Sequence, residues 1–254
     1  MDPVAAVAIL SALFAGSHLL LASSVIRRRL VERLGEFWFV VVYSLVSWLT
    51  FGAALFYYER HRLEGPAGLD VPWLFWPAVI STVIGVCLIV GILSPTGYVE
   101  SPMAMFSGKT REPRGLGRVT RHPMFAGMAL FGVGHCFLAG TMIGVVYFGF
   151  LAALGVAGGW HQDAKLRSLR GDVFQAYLEK TSAVPFVAVI RGRQKLVFGE
   201  LPWVFLGLGL LAAWGLHAMH GADFAYTAHV ILAGLIFGPI GLTAWSFAKH
   251  RRND

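Results

Sequence analysis

Two histidines sit inside stretches of this chain that otherwise hold only apolar and small residues, His18 and His135. An imidazole buried in hydrocarbon without a partner is costly, so each marks a candidate site. His18 is about 8 residues (~12 Å) from the end of its apolar segment near Ile26. His135 is about 13 residues (~19 Å) beyond His122, where its own segment begins. If both ends lie on one membrane face, the depths differ by only ~7 Å, which helix tilt absorbs. Both are flanked by small residues at matching offsets: Ala15 and Ala22 around His18, Gly132 and Ala139 around His135. Small neighbours leave room for a flat macrocycle, and neutral imidazole is a good axial ligand for haem iron. Equally, small residues let membrane helices pack closely, with a histidine there bonding a neighbour. Spacing alone leaves both readings open.

A second group lies where two apolar segments meet polar sequence. Arg121, His122, His161 and Asp163 could frame a cofactor-binding site at the inner interface, or could be ordinary anchoring and salt bridging. His217, His220 and His229 cluster toward the opposite side. No HExxH-type pattern organises them, and a loop is the preferred reading. Ser107-Gly108-Lys109-Thr110 imitates the end of a phosphate loop. The first glycine of that motif is replaced by Met103 and no strand precedes it, so the reading is rejected.

The elements that must carry these residues are long and apolar. Seven segments approach the roughly 20 residues needed to cross a bilayer. They run Val4–Ile26, Phe37–Tyr58, Pro72–Leu93, Pro123–Ala139, Thr141–Gly158, Pro202–Met219 and Phe224–Lys249. Polar sequence at Ser94–His122 and Gly159–Leu201 separates them, and the short Ala139-Gly140-Thr141 link predicts a helical hairpin. Composition agrees. The 254 residues are 56% apolar and 14% charged, with a mean hydropathy of +0.64. A soluble domain carries about 25% charged residues.

Charge placement sets the expected topology. Nineteen of the 21 Lys and Arg residues fall on one side of a seven-span arrangement, leaving only Arg60 and Arg62 on the other. The positive-inside rule then places the N-terminus outside and the C-terminus inside. Arg27, Arg28 and Arg29 follow the first apolar core, the reverse of a cleaved signal. The net charge of +7 is thereby explained as topology with lipid contact, and no nucleic-acid partner is expected. Cys87 and Cys136 are buried-type thiols with no CxxC pattern.

The motifs Arg121-His122-Pro123 with Gly127, Gly134-His135, Trp160-His161-Gln162-Asp163, Gly171, Tyr177 and Thr181–Phe186 together resemble the NnrU family. His18, Arg27–Arg29, Leu34-Gly35-Glu36 and Tyr43-Ser44-Leu45 extend the resemblance over about residues 8–220. That family includes bacterial proteins associated with denitrification and the plant 15-cis-zeta-carotene isomerase. The resemblance implies a haem b site with His18 and His135 as axial ligands. The chain departs from the isomerase pattern around Leu154, where a further histidine is replaced. A more distant resemblance, to isoprenylcysteine carboxyl methyltransferases, implies S-adenosylmethionine held near Arg121, His122 and Asp163.

The expectation is an all-α polytopic membrane bundle in the inner membrane. Residues 1–222 form the NnrU-like domain, and 223–254 add one helix and a basic tail. The first functional expectation is a haem b protein acting on nitrogen oxides or isomerising an apolar polyene. A methyltransferase and a cofactor-free accessory protein are the alternatives.

Overall fold

The computed structural model describes residues 1–94 and 112–220, and their architecture is helical. The expected helix Phe224–Lys249 and the tail therefore lie outside the described residues. Helix α1 (Pro3–Ala22) starts where Asp2 caps it, the carboxylate accepting from the Ala5 N–H with Pro3 at the first helical position. It ends one turn earlier than expected, because Ser23 turns to extended backbone (ψ 142°). The arginine cluster is then carried by a separate helix, α2 (Ser24–Leu34), where a loop is the simpler expectation. Gly35, at φ 79°, turns the chain into α3 (Glu36–His61). Arg27 reaches back to Glu36 across that corner.

A single 3₁₀ turn at Pro72–Leu74 leads into α4 (Phe75–Gly91). The short α5 (Leu116–Val119) precedes α6 (Pro123–Leu138), whose first residue is the RHP proline. Helix α7 (Met142–Lys180) is 39 residues long and runs far beyond the apolar segment expected to end at Gly158. The Gly158-Gly159 pair does not stop it, and the break falls at Gly171, with φ 53° and ψ −131°. The short α8 (Val187–Ile190) and α9 (Trp203–Met219) complete the described chain.

Four stretches are long and apolar enough to cross a membrane: Pro3–Ala22, Glu36–His61, Pro72–Gly91 and the start of Met142–Lys180. Pro123–Leu138 and Trp203–Ala218 are apolar but shorter. Only 11% of the most apolar window of α3 is buried inside the protein. Such a surface is stable only against lipid, so the fold is that of a multi-pass membrane protein.

Small residues set the packing. A Cβ on Gly85 would meet the Gly127 carbonyl oxygen at 2.6 Å, and one on Gly127 would meet that of Gly85 at 2.7 Å. Between α6 and α7, Gly132 lies against the backbone of Phe148 and Ala152, and Gly155 against that of Phe125 and Ala129. Backbones approach this closely only where side chains are absent, which is how membrane helices gain packing energy. On its other side α7 meets α1 and α3 through Val7, Ala54, Ile143, Tyr147 and Phe148. The rings of Tyr58 and Tyr147 stack there at 4.6 Å.

Candidate functional site

The sequence-predicted residues separate into two layers along α7. At the start of α6, Thr120, Arg121 and His122 enter the helix in extended backbone held by the return loop after α7. The Arg121 N–H donates to the Ser182 carbonyl at 2.8 Å and the Thr120 hydroxyl to that of Ala183 at 2.7 Å. This pins both side chains toward Asp163. Arg121 Nε lies 2.9 and 3.0 Å from the two carboxylate oxygens, and His122 Nε2 is 2.7 Å from Oδ1. Arg121 and His122 thus converge on the one carboxylate of Asp163, as a structural tie would. Next to them on α7, His161 Nε2 and Gln162 Nε2 are buried without a partner among the described residues.

His18 lies on α1, facing α3. Its Nε2 lies 2.8 Å from the Tyr43 hydroxyl and its Nδ1 3.1 Å from that of Ser47, both on α3. His161 is within electrostatic range of it across α1 and α7.

His135 lies elsewhere. Its ring packs 4.2 Å from Phe131 and 4.4 Å from Phe148. Its Nδ1 bonds the Phe131 carbonyl at 3.1 Å, with Thr82 Oγ1 at 3.4 Å. Across from it is His220, ring centroids 6.3 Å apart. His217 and His220 thus stand at the end of α9, in place of the expected loop. His229 lies outside the described residues. His220 was legible only in part: with His217 it makes an i, i+3 pair at the end of an apolar segment.

The two layers are far apart. Val4 of α1 and Ile143 of α7 both border Gly65, and Ser11 and Phe14 line the same gap as Tyr147, Phe150 and Leu151. In that register His18 falls near the level of Gly155–Gly158. His135 is level with Phe148. The offset is roughly seven to ten residues, or ~10–15 Å along α7. One iron holding both rings would need their nitrogens roughly 4 Å apart, at about 2 Å per metal–nitrogen bond. In this structure the two rings hold separate hydrogen bonds, His18 to the hydroxyls of Tyr43 and Ser47 and His135 to the Phe131 carbonyl. Among the described residues no group of three or more His, Cys, Asp or Glu could hold a metal ion.

Just before α6, Arg118 grips Glu200 with both arms of its guanidinium, at 2.8 and 3.1 Å, and Gln194 accepts a third bond. Those bonds, with the Gly115 N–H, hold the Glu200 carboxyl down at about 2. The loop entering α6 is thereby tied to the turn before α9.

The chain is 32% identical over 115 residues to 15-cis-zeta-carotene isomerase of Zea mays, which covers 43% of this chain and 31% of that protein. It is 30% identical over 117 residues to the chloroplastic isomerase of the same name from Arabidopsis thaliana, covering 43% and 32%. The matched region thus spans about a third of the length of these curated relatives. No solved structure matches the chain significantly. The NnrU protein family matches residues 6–237, nearly the whole chain, and to that family this protein belongs.

Proposed function

We propose that this protein is a membrane-embedded isomerase acting on an extended apolar polyene, with haem b as its cofactor. The observation that carries the reading is the similarity to two zeta-carotene isomerases, on a bundle whose helices expose apolar faces to lipid. A polyene partitions into hydrocarbon and reaches a site between helices from the side, without crossing water. We place the protein in an inner membrane with seven spans, N-terminus outside and C-terminus inside, as the charge distribution favours. Bound haem would supply a redox-active iron. The protein's own residues hold polar groups inside the bundle: Tyr43 and Ser47 orient His18, and the Phe131 carbonyl orients His135.

The nitrogen-oxide reading rests on the family's association alone. The S-adenosylmethionine reading has its three residues together, but both cationic partners are directed at the Asp163 carboxylate.

The test is expression in a bacterial host that accumulates 15-cis-zeta-carotene, with chromatographic separation of isomers. Conversion above the empty-vector level supports the reading. Full membrane expression with no conversion rejects it.

A further inference from the structure

The corner that turns α2 into α3 meets α7 with more positive charge than negative. Arg27 pairs with Glu36 across that corner, and its guanidinium carbon lies 5.4 Å from the centroid of the Phe39 ring. The carboxylate and the aromatic face together fix the Arg27 head. Lys165 of α7 is half-buried, within electrostatic range of both Arg27 and Glu36. Its ammonium has no ion pair and no hydrogen bond among the described residues. The carboxylate it senses is that of Glu36, which Arg27 already holds. A sheltered ammonium without a counter-ion is costly, so the position calls for an anion from outside the chain.

The level of this corner says which anion. Helix α1 carries no Lys, Arg, Asp or Glu, and the first cations after it are Arg27–Arg29 on α2. The first Lys or Arg of α7 is Lys165, beyond an apolar run that reaches Gly158. Trp38, two residues after Glu36, is 60% exposed, and Trp160, just before Lys165 on α7, is 68% exposed. Exposed indoles mark the level where hydrocarbon gives way to headgroups. Helix α2 fits the same level. None of its residues is buried. With 3.6 residues per turn, Ile26, Leu30 and Leu34 share one side of it, and Arg28, Arg29 and Arg33 fall on the other. A short helix with a basic face and an apolar face lies in the plane of the membrane interface.

From this placement we infer that the corner between α2 and α7 binds one anionic phospholipid, its phosphate taken by Lys165 beside the Arg27–Glu36 pair. A lipid supplies both things required there: negative charge for Lys165, and hydrocarbon for the exposed apolar sides of α1 and α3, such as Leu20 and Leu45. Basic pockets between membrane helices recognise lipid headgroups in this way. Inorganic phosphate supplies the charge alone. The inference does not depend on the reaction the protein catalyses.

The experiment uses the full chain, stripped of lipid in a neutral detergent. It is titrated with phosphatidylglycerol, with phosphatidylcholine of the same acyl chains, and with phosphatidylglycerol in the presence of inorganic phosphate. Bound lipid is counted by native mass spectrometry. One phosphatidylglycerol is expected to be held in preference to phosphatidylcholine. Lys165→Gln is expected to weaken it about fivefold, the effect of one cation near a lipid surface. Lys165→Arg restores the charge and recovers binding. Arg167→Gln removes the same charge from an exposed position on the other side of α7 and leaves the tight lipid in place. Should Lys165→Gln fail to fold, Lys165→Met, uncharged and of similar length, takes its place. Equal weakening by the Lys165 and Arg167 variants means diffuse attraction and overturns the site. So does equal retention of the two lipids. Inorganic phosphate that displaces the lipid at equal concentration assigns a free-ion site and overturns the lipid.

Discussion

Arg121 and Asp163 stand 42 residues apart in sequence, yet the guanidinium Nε lies 2.9 Å from one carboxylate oxygen and 3.0 Å from the other. Their side chains are only 14% and 12% exposed. The pair joins the entrance of α6 to the far side of α7, and His122 shares the same carboxylate. It is a polar lock between α6 and α7.

Asp163→Asn leaves that largely buried guanidinium without its counter-charge. Removing one member of a buried pair costs on the order of 3 kcal/mol or more. A thermal scan of the detergent-solubilised protein is expected to show a clearly lowered Tm. Arg121→Lys keeps the charge but loses the two-pronged geometry, so it recovers only part of the stability. A Tm for Asp163→Asn equal to wild type contradicts the lock.

The glycine contacts make a sharper contrast. At Gly132 a new Cβ meets Ala152 N at 2.6 Å and Phe148 O at 2.7 Å, and backbone cannot step aside. Gly132→Ala is expected to cost about 1–3 kcal/mol, as overpacking does. Gly16 has nothing within 4 Å of the same position. Gly16→Ala is expected to be neutral or to stabilise by up to about 1 kcal/mol, because alanine is the better helix former. Equal effects at the two sites argue against the interface described.

Ser11 is 3% exposed, and its hydroxyl has no hydrogen-bond partner among the described residues. It faces a small gap shared with Phe14, Phe51 and Tyr147. A buried unpaired hydroxyl costs roughly 1–3 kcal/mol. Ser11→Ala therefore leaves stability unchanged or raises it, as chemical or thermal unfolding in detergent will show. A marked loss of stability reveals a bond from Ser11 that the geometry does not contain.

The Arg118–Glu200 tie predicts an acid dependence. Arg118 and the Gly115 N–H hold the Glu200 carboxyl at about 2, below its ordinary 4.5. A carboxyl with a depressed folded value contributes stability that is complete above its unfolded value and disappears as pH falls through the folded one. The contribution is thus full above about 4.5 and lost toward about 2. Glu200→Gln is expected to flatten the change in Tm across this window relative to wild type. Parallel curves for the two proteins would falsify the assignment.

Much of the fold was legible in residue order because a bilayer imposes simple rules. Uninterrupted apolar length predicted the helices at Pro3–Ala22, Glu36–His61, Phe75–Gly91, Pro123–Leu138, the start of Met142–Lys180, and Trp203–Met219. Motif spacing was enough to point to the family, and to bring Arg121, His122 and Asp163 into one cluster. Length rules failed where local preference and tertiary support competed. Ser23 split off the arginine helix, and α7 ran through Gly158-Gly159 to Lys180, held from Leu166 onward by its own small core with Phe174 and Tyr177. Depth counted from the ends of apolar segments put His18 and His135 nearly level. The register between helices is set by which small residues let backbones touch, Gly132 on Ala152 and Gly155 on Ala129. Such contacts join residues distant in the chain, so no count along one helix contains them. The same contacts through α4 brought His220 to His135, a meeting that only the tertiary structure could decide.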